Sequence, residues 1–188
     1  MSDLPDRPGR VRGSTRKVGV IGWPIEHTLS PVIHNAAFAA LGMDWVYVPL
    51  PVATARLPAA LDGLGALGFA GANVTMPHKT RSAQLVPDLS HDARLLRAVN
   101  TIVVGTDGLA GHNTDALGFE RFLREDTGFD PSGRAALLFG AGGGARACAL
   151  ALSRGGLAKL SVAAREPSRG EDLRATLEGS GTALRVVS

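Results

Sequence analysis

At 188 residues the chain has room for one large domain or two small ones with a proper core, which excludes a disulfide-stapled miniprotein. Hydrophobic residues at 45%, charged residues at 20% and a mean hydropathy of +0.10 exclude a disordered chain. The net charge is +3, but only Lys17, Lys79 and Lys159 are lysine, and the arginines are spread among 17 acids; no basic patch for nucleic acid is implied.

Residues 1–16 are rich in Pro, Arg, Gly, Ser and Asp and lack the apolar stretch of a signal peptide, so they read as a disordered leader. From Lys17 the chain repeats apolar run, turn and helical stretch. Residues 17–22 (KVGVIG) read as a buried strand. Ser30-Pro31 opens a helix running to about Leu41, with the serine as cap and proline in the first turn. A strand over 45–52, a helix over 55–67 and a strand over 71–76 follow. A helical region over 78–96 leads to a strand over 99–104, a turn at 106–108 and a short strand before His112. Alternating strands and helices predict a mostly parallel α/β sheet covered on both faces, which makes residues 17–115 the first domain.

Residues 116–125 read as a connecting helix, and the polar, turn-rich stretch up to 133 completes a linker over 116–133. The pattern then restarts over 134–188: strand 136–139, glycine turn 140–144, helix 145–154, strand 160–164, helix 168–177, strand 183–187. This β-α-β-α-β run is one half of a Rossmann-type dinucleotide domain, and we read the C-terminus as premature because the second half is missing. The lone Cys148 sits among Ala and Leu in a predicted helix, as a small core residue in a reducing compartment. No segment reaches the ~18 apolar residues of a membrane span. A cytoplasmic protein is therefore expected, without nucleic acid or membrane; a small-molecule substrate and a monomer or homodimer are further expectations.

The sequence Gly140-Ala141-Gly142-Gly143-Gly144-Ala145 satisfies G-x-G-x-x-A between strand and helix. Glycine permits the tight turn and close backbone approach, while the helix N-terminus offers N–H groups to a pyrophosphate. The alternative is a glycine turn that merely joins the two elements. About twenty-five residues on, Ala164-Arg165-Glu166-Pro167-Ser168-Arg169 stands where the fold tests the ribose. Arg165 and Arg169 can pair with a 2′-phosphate and favour NADP; Glu166, were it the group facing the ribose, would weaken that preference.

In the first domain polar residues collect at strand ends, where open α/β sheets bind ligands. Thr28 and Ser30 place two hydroxyls on alternate positions, able to bond vicinal hydroxyls or a carboxylate; Ser30 could equally serve only as a cap. In Asn73-Val74-Thr75-Met76-Pro77-His78-Lys79 the period of two points Asn73 and Thr75 the same way, with Lys79 just beyond. A lysine there, in a chain with so few, is a candidate for acid/base work as well as an ordinary surface cation. Asn100 and Asp115 lie in two further polar clusters, and Lys79 with Asp115 is expected to form a proton-handling pair at a cleft between the domains. The five histidines lack metal-ligand spacing, so no metal is expected.

These pieces in this order resemble the shikimate dehydrogenase family. The resemblance runs from Lys17 through G-x-P-I-x-H-x-x-S-P-x-x-H-N, N-V-T-x-P-x-K, A-V-N-T, N-T-D-x-x-G-F and the GAGG turn. It implies that Thr28 and Ser30 bind the substrate carboxylate, that Asn73, Thr75, Asn100 and Asp115 contact its hydroxyls, and that Lys79 is the essential lysine. The implied reaction is reversible reduction of 3-dehydroshikimate to shikimate with NADPH. Thr28 stands where the family commonly has serine, and Ala164-Arg165-Glu166 where it has Asn-Arg-Thr. The family takes further contacts, including a glutamine, from a C-terminal segment outside these 188 residues. Two rivals follow: an NAD-dependent quinate/shikimate dehydrogenase, and an inactive fragment that only binds a shikimate-like acid.

Overall fold

The structure is a computed structural model that describes residues 11–187. It forms two compact units: residues 11–88 with Val99–His112, and Leu89–Ala98 with residues 113–187.

In chain order the first unit holds β1 (Arg16–Gly22), α1 (Ser30–Ala40), β2 (Trp45–Pro51), a 3-10 turn at Thr54–Arg56, α2 (Leu57–Ala66), β3 (Phe69–Val74) and α3 (Lys79–Leu85). A two-residue β4 (Asp88–Leu89) closes the first run. After α4 (His91–Leu96), part of the second unit, come β5 (Thr101–Gly105) and β6 (Gly108–His112). The strand order is β2-β1-β3-β5-β6-β4. Strands β2, β1 and β3 run parallel, because helices α1 and α2 cross over between them. Strands β5 and β6 are antiparallel, so this sheet is more mixed than the alternating pattern implies. The reason is local: only Thr106 and Asp107 join β5 to β6, too few residues for a crossover, and Gly108 takes the turn at φ +116°.

Three other expectations change. Of the leader expected over 1–16, residues 1–10 lie outside the described residues, and the remainder is tied down before β1 begins. Thr15 is buried and donates from Oγ1 to Asp44 Oδ1 at 2.7 Å, Ser14 donates to Oδ2 at 3.0 Å, and the two bonds hold the Asp44 carboxyl below the usual carboxylate range. The helix expected over 78–96 is two helices, because Pro87 has no N–H to continue it and drives Val86 into an extended conformation, ψ 125°. Ser30 is not the cap of α1: the helix is capped by Leu29, with no side-chain cap bond, and Ser30 is its first residue.

The second unit continues from α4 through α5 (Asp115–Arg121), which runs on as a π-helical turn over Phe122–Asp126. Then follow β7 (Ala135–Phe139), α6 (Gly143–Arg154), β8 (Lys159–Ala163), α7 (Pro167–Glu171), α8 (Leu173–Leu177) and β9 (Ala183–Val187). Strands β7, β8 and β9 form a parallel sheet in that order, the β-α-β-α-β half expected. Its core packs Leu152, Leu157, Leu160, Val162, Leu173 and Leu177. A second cluster explains why α4 belongs here and not with residues 17–115, and why α5, expected as part of a linker, is packed into the same unit. Leu96, Ala98 and Ala116 pack on Ala147, Leu150 and Ala151 of α6, and apolar contact decides the division where chain order does not.

An ion pair secures α4 within this unit: Arg154 donates from Nη1 to Asp92 Oδ2 at 2.8 Å and from Nη2 to Oδ1. The guanidinium holds the Asp92 carboxyl below the usual range. A carboxyl depressed in the folded state stabilises above its unfolded pKa, about 4, and loses that contribution as pH falls through the folded value. Asp92→Asn is therefore expected to lower the thermal midpoint by about 2–4 °C at pH 7, for a pair worth up to ~1 kcal/mol, and by much less at pH 3. Equal shifts at the two pH values in a calorimetric scan would refute the assignment.

Candidate functional site

In the first unit the sheet builds a polar chain across β2, β3 and β5. Tyr47 of β2 is 4% exposed, and its hydroxyl donates to Asn73 Oδ1 at 2.7 Å. Asn73 Nδ2 donates to Thr101 Oγ1 at 3.2 Å and, more weakly, to the Asn100 carbonyl at 3.4 Å. Thr101 Oγ1 donates in turn to Asn100 Oδ1 at 2.9 Å. Burial pushes the Tyr47 pKa up to about 12, so at neutral pH the phenol remains a donor. Asn73 and Asn100, chosen from sequence, are thus brought together. Thr101 shares a polar cluster with Asn100 in the sequence, but no sequence pattern points to Tyr47, and what links both to Asn73 is cross-strand register: Asn73 lies opposite Thr101 in β5 and Val20 in β1, while Tyr47 lies opposite Val18, one pleat along on the same face.

Thr75 follows β3 and extends its ladder, its N–H donating to the Ile21 carbonyl at 2.9 Å. Gly22 is required beside it, since a Cβ there would lie 2.5 Å from Thr75 Cγ2 and 2.3 Å from Ile25 Cγ2. Thr28 Oγ1 accepts from the Ser30 N–H at 3.3 Å, a turn that leads the chain into α1. Lys79 is the first residue of α3. Ahead of it His78 is fully buried, and its Nε2 lies 2.7 Å from the Val52 carbonyl; the Lys79 carbonyl accepts from the Val99 N–H at 2.9 Å. The backbone that carries the ammonium group is therefore fastened on both sides.

In the second unit Asp115 opens α5, its N–H donating to Asn113 Oδ1 at 2.9 Å, while Asn113 Nδ2 donates to the Ala98 carbonyl. The side chain lies at a helix start, where a carboxylate is favoured. Lys79 and Asp115 belong to different units, and each is placed within its own.

The glycine segment fits a phosphate group. Gly140 leaves β7 at φ +94°, a conformation that favours glycine, and its N–H donates to the Ala163 carbonyl at 2.7 Å. Gly142 caps α6, and Gly143, Gly144 and Ala145 form the helix's first turn, so the turn gives its last two glycines to the helix. A Cβ on Gly140, Gly142, Gly143 or Gly144 would meet nothing within 4 Å, so the space beside the loop is open, and the first N–H groups of a helix have no partner within it. Ala141 is buried in the core. Arg165, after β8, is exposed. Arg169 donates from Nε to Glu166 Oε2 at 2.8 Å, so the acid that complicates the ribose site is turned toward its own helix.

Among the described residues, no group of three or more His, Cys, Asp or Glu side chains is arranged to hold a metal ion, and no helix is long and apolar enough to cross a membrane.

Fold and site together define an α/β protein that joins a small-ligand unit to the first half of a dinucleotide-type unit. Residues 20–102 match the shikimate dehydrogenase substrate binding domain. The chain is 53% identical over 178 residues to a shikimate dehydrogenase (NADP(+)) of Rubrobacter xylanophilus, covering 94% of this chain and 62% of that protein. It is 48% identical over 169 residues to that of Geobacter metallireducens, covering 90% and 59%. A crystal structure of shikimate 5-dehydrogenase from Listeria monocytogenes in complex with shikimate and NAD superposes with TM-score 0.88 at 33% identity, covering 99% of this chain and 64% of that one. The chain belongs to the shikimate dehydrogenase family, and it spans about 60% of the length of the curated relatives it matches.

Proposed function

We propose that this chain carries the substrate site and the first half of the nucleotide site of an NADP-dependent shikimate dehydrogenase. The reaction is reversible reduction of 3-dehydroshikimate to shikimate. The observation that carries this reading is the hydrogen-bonded chain of Asn73, Thr101 and Asn100, built by cross-strand pairing on the strand that leads directly to Lys79. Amide and hydroxyl groups fixed in this way suit a polyhydroxylated ring, with Asn73, Thr75, Asn100 and Asp115 meeting its hydroxyls. Thr28 and Ser30 bind its carboxylate.

Gly140, Gly142, Gly143, Gly144, Ala145 and Arg165 hold NADPH, with Ala141 packed beneath the loop; when bound, the cofactor supplies hydride to the ring ketone. Lys79 gives a proton to the ketone oxygen as charge develops there and takes it back in the reverse direction. Arg169 is a weaker candidate for the 2′-phosphate, because Glu166 already neutralises it. The lone Cys148 among small apolar residues suits a reducing cytoplasm, and the protein acts as a monomer or homodimer.

The test is loss of NADPH absorbance when the 188-residue chain is mixed with 3-dehydroshikimate, beside calorimetric titration of shikimate. Absence of both oxidation and binding would overturn the reading. Binding without oxidation would leave the chain a binder of shikimate-like acids. Because the Listeria relative was crystallised with NAD, NADH and quinate are run in parallel. Arg165→Ala is expected to raise KM for NADPH about tenfold or more, the cost of one charge-assisted bond, while leaving KM for NADH unchanged. Equal effects on both cofactors would remove Arg165 from the phosphate site.

A further inference from the structure

We propose that Tyr47 is a positioning residue: its hydroxyl fixes, through Asn73 and Thr101, the direction in which the side-chain amide of Asn100 faces. Four residues pass hydrogen bonds from one to the next. An asparagine amide has one acceptor end and one donor end, and a half-turn about its last bond exchanges them at almost no steric cost. Something must choose. At Asn73 one neighbour dictates the choice and the other reinforces it. The Asn100 main-chain carbonyl accepts only, so the Nδ2 end must face it. The Tyr47 hydroxyl, at the other end, lies 2.7 Å from Oδ1; a phenol can accept as well as donate but is the stronger donor, and the short bond stabilises this orientation.

With Asn73 so turned, Nδ2 donates to Thr101 Oγ1. The Thr101 hydroxyl then has its own proton to place, and Asn100 Oδ1 receives it at 2.9 Å. The acceptor end of Asn100 is thereby directed to Thr101 and its donor end to the other side. Reversing the first bond would reverse every member of the chain.

Tyr47 is itself held immobile for this role. Asn35 of α1 clamps its backbone from the open edge of β2, with Nδ2 donating to the Tyr47 carbonyl at 2.9 Å and Oδ1 accepting from the Tyr47 N–H at 2.8 Å. The His34 ring stacks on the phenol, 4.3 Å between centroids and 8° from parallel. A side chain clamped at its backbone and its ring leaves its hydroxyl little freedom. The functional consequence rests on the reading above, in which Asn73 and Asn100 meet the substrate's hydroxyls: Tyr47 would set which of them act as donors without touching the substrate.

The full chain tests this in two arms. In the first, side-chain amide NMR without any ligand follows hydrogen exchange at Asn73 Nδ2. Tyr47→Phe keeps the ring and its stacking, and is expected to speed that exchange at least tenfold; Thr101→Val does the same, while Thr101→Ser retains the native rate. In the second, shikimate binding weakens about tenfold in Tyr47→Phe and in Thr101→Val, and the double variant is no weaker than the worse single one, because both cut the same chain. Native exchange at Asn73 in Tyr47→Phe, or losses that add in the double variant, would overturn the proposal. If the unaltered chain does not bind shikimate, the functional reading fails by itself and the exchange arm alone decides the role of Tyr47.

Discussion

Replacing Lys79 by alanine is expected to lower the turnover of 3-dehydroshikimate by about a hundred- to ten-thousand-fold while leaving substrate affinity nearly unchanged. The split follows from when the group acts. In the function proposed above, Asn73, Thr75, Asn100, Thr28 and Ser30 are assigned to hold the substrate before and during the reaction, so their loss is expected to raise KM; a proton donor matters only as the ketone oxygen gains charge, so its loss falls on kcat. The backbone at Lys79 is rigid enough for that duty. His78 is anchored by the Val52 carbonyl, which can only accept, so Nε2 carries the proton of that bond. The Lys79 carbonyl is tied to the Val99 N–H. The long side chain therefore starts from a fixed point. Lys79→Arg should not rescue, because a guanidinium does not release a proton near neutral pH and its planar fork needs another geometry. Steady-state kinetics at saturating NADPH decides between the outcomes. Undiminished kcat removes Lys79 from the chemistry, and a raised KM with native kcat makes it a binding residue.

Much of the fold could be read from residue order alone, and the failures share one physical origin. Apolar runs at 17–22, 45–52 and 160–164 announce strands within two residues of β1, β2 and β8, because a buried strand needs such a run whatever surrounds it. The glycine turn is equally local: Gly140 needs its positive φ, and the helix start follows from what comes next. What local pattern misses is decided by distant partners. Ser30 is a good cap by composition, yet α1 begins one residue earlier than that role allows. Residues 89–98 lie within the first domain expected over 17–115, but pack Leu96 and Ala98 against α6, fifty residues away. Tyr47 has no motif around it, and only the register of β1 with both its neighbours brings its hydroxyl to Asn73. Pro87 is the exception, a local breaker overruled by the helical look of its flanks. The residues of the proposed substrate cluster are thus readable in the sequence as polar groups bordering strands, but the hydrogen bonds that orient them are not.

Gly71→Ala is expected to be the most damaging small substitution in the first unit. Gly71 sits in the middle of the sheet, paired with Val18 of β1 on one side and Val103 of β5 on the other. A Cβ at this position would lie 2.3 Å from the carbonyl oxygen of Ile102 and 3.4 Å from its carbon. Backbone strain at Gly71 plays no part; the obstacle is the neighbouring main chain, which cannot rotate aside as a side chain would. Strands β3 and β5 must separate, at a cost of about 1–3 kcal/mol or more, which for a chain of this size lowers the thermal midpoint by ~2–4 °C for each kcal/mol. Two residues along the same ladder, Asn73 faces Thr101, so separation also lengthens the 3.2 Å bond between them and should weaken shikimate binding in step with stability. Gly63 in α2 is the control from the same unit: its added Cβ would approach nothing closer than Leu67 Cδ1 at 3.9 Å, and alanine within a helix gains about 0.5–1 kcal/mol over glycine. Gly63→Ala should therefore raise the midpoint where Gly71→Ala lowers it, and a Gly71→Ala chain that melts as high as Gly63→Ala would mean that β3 and β5 do not pair in this register.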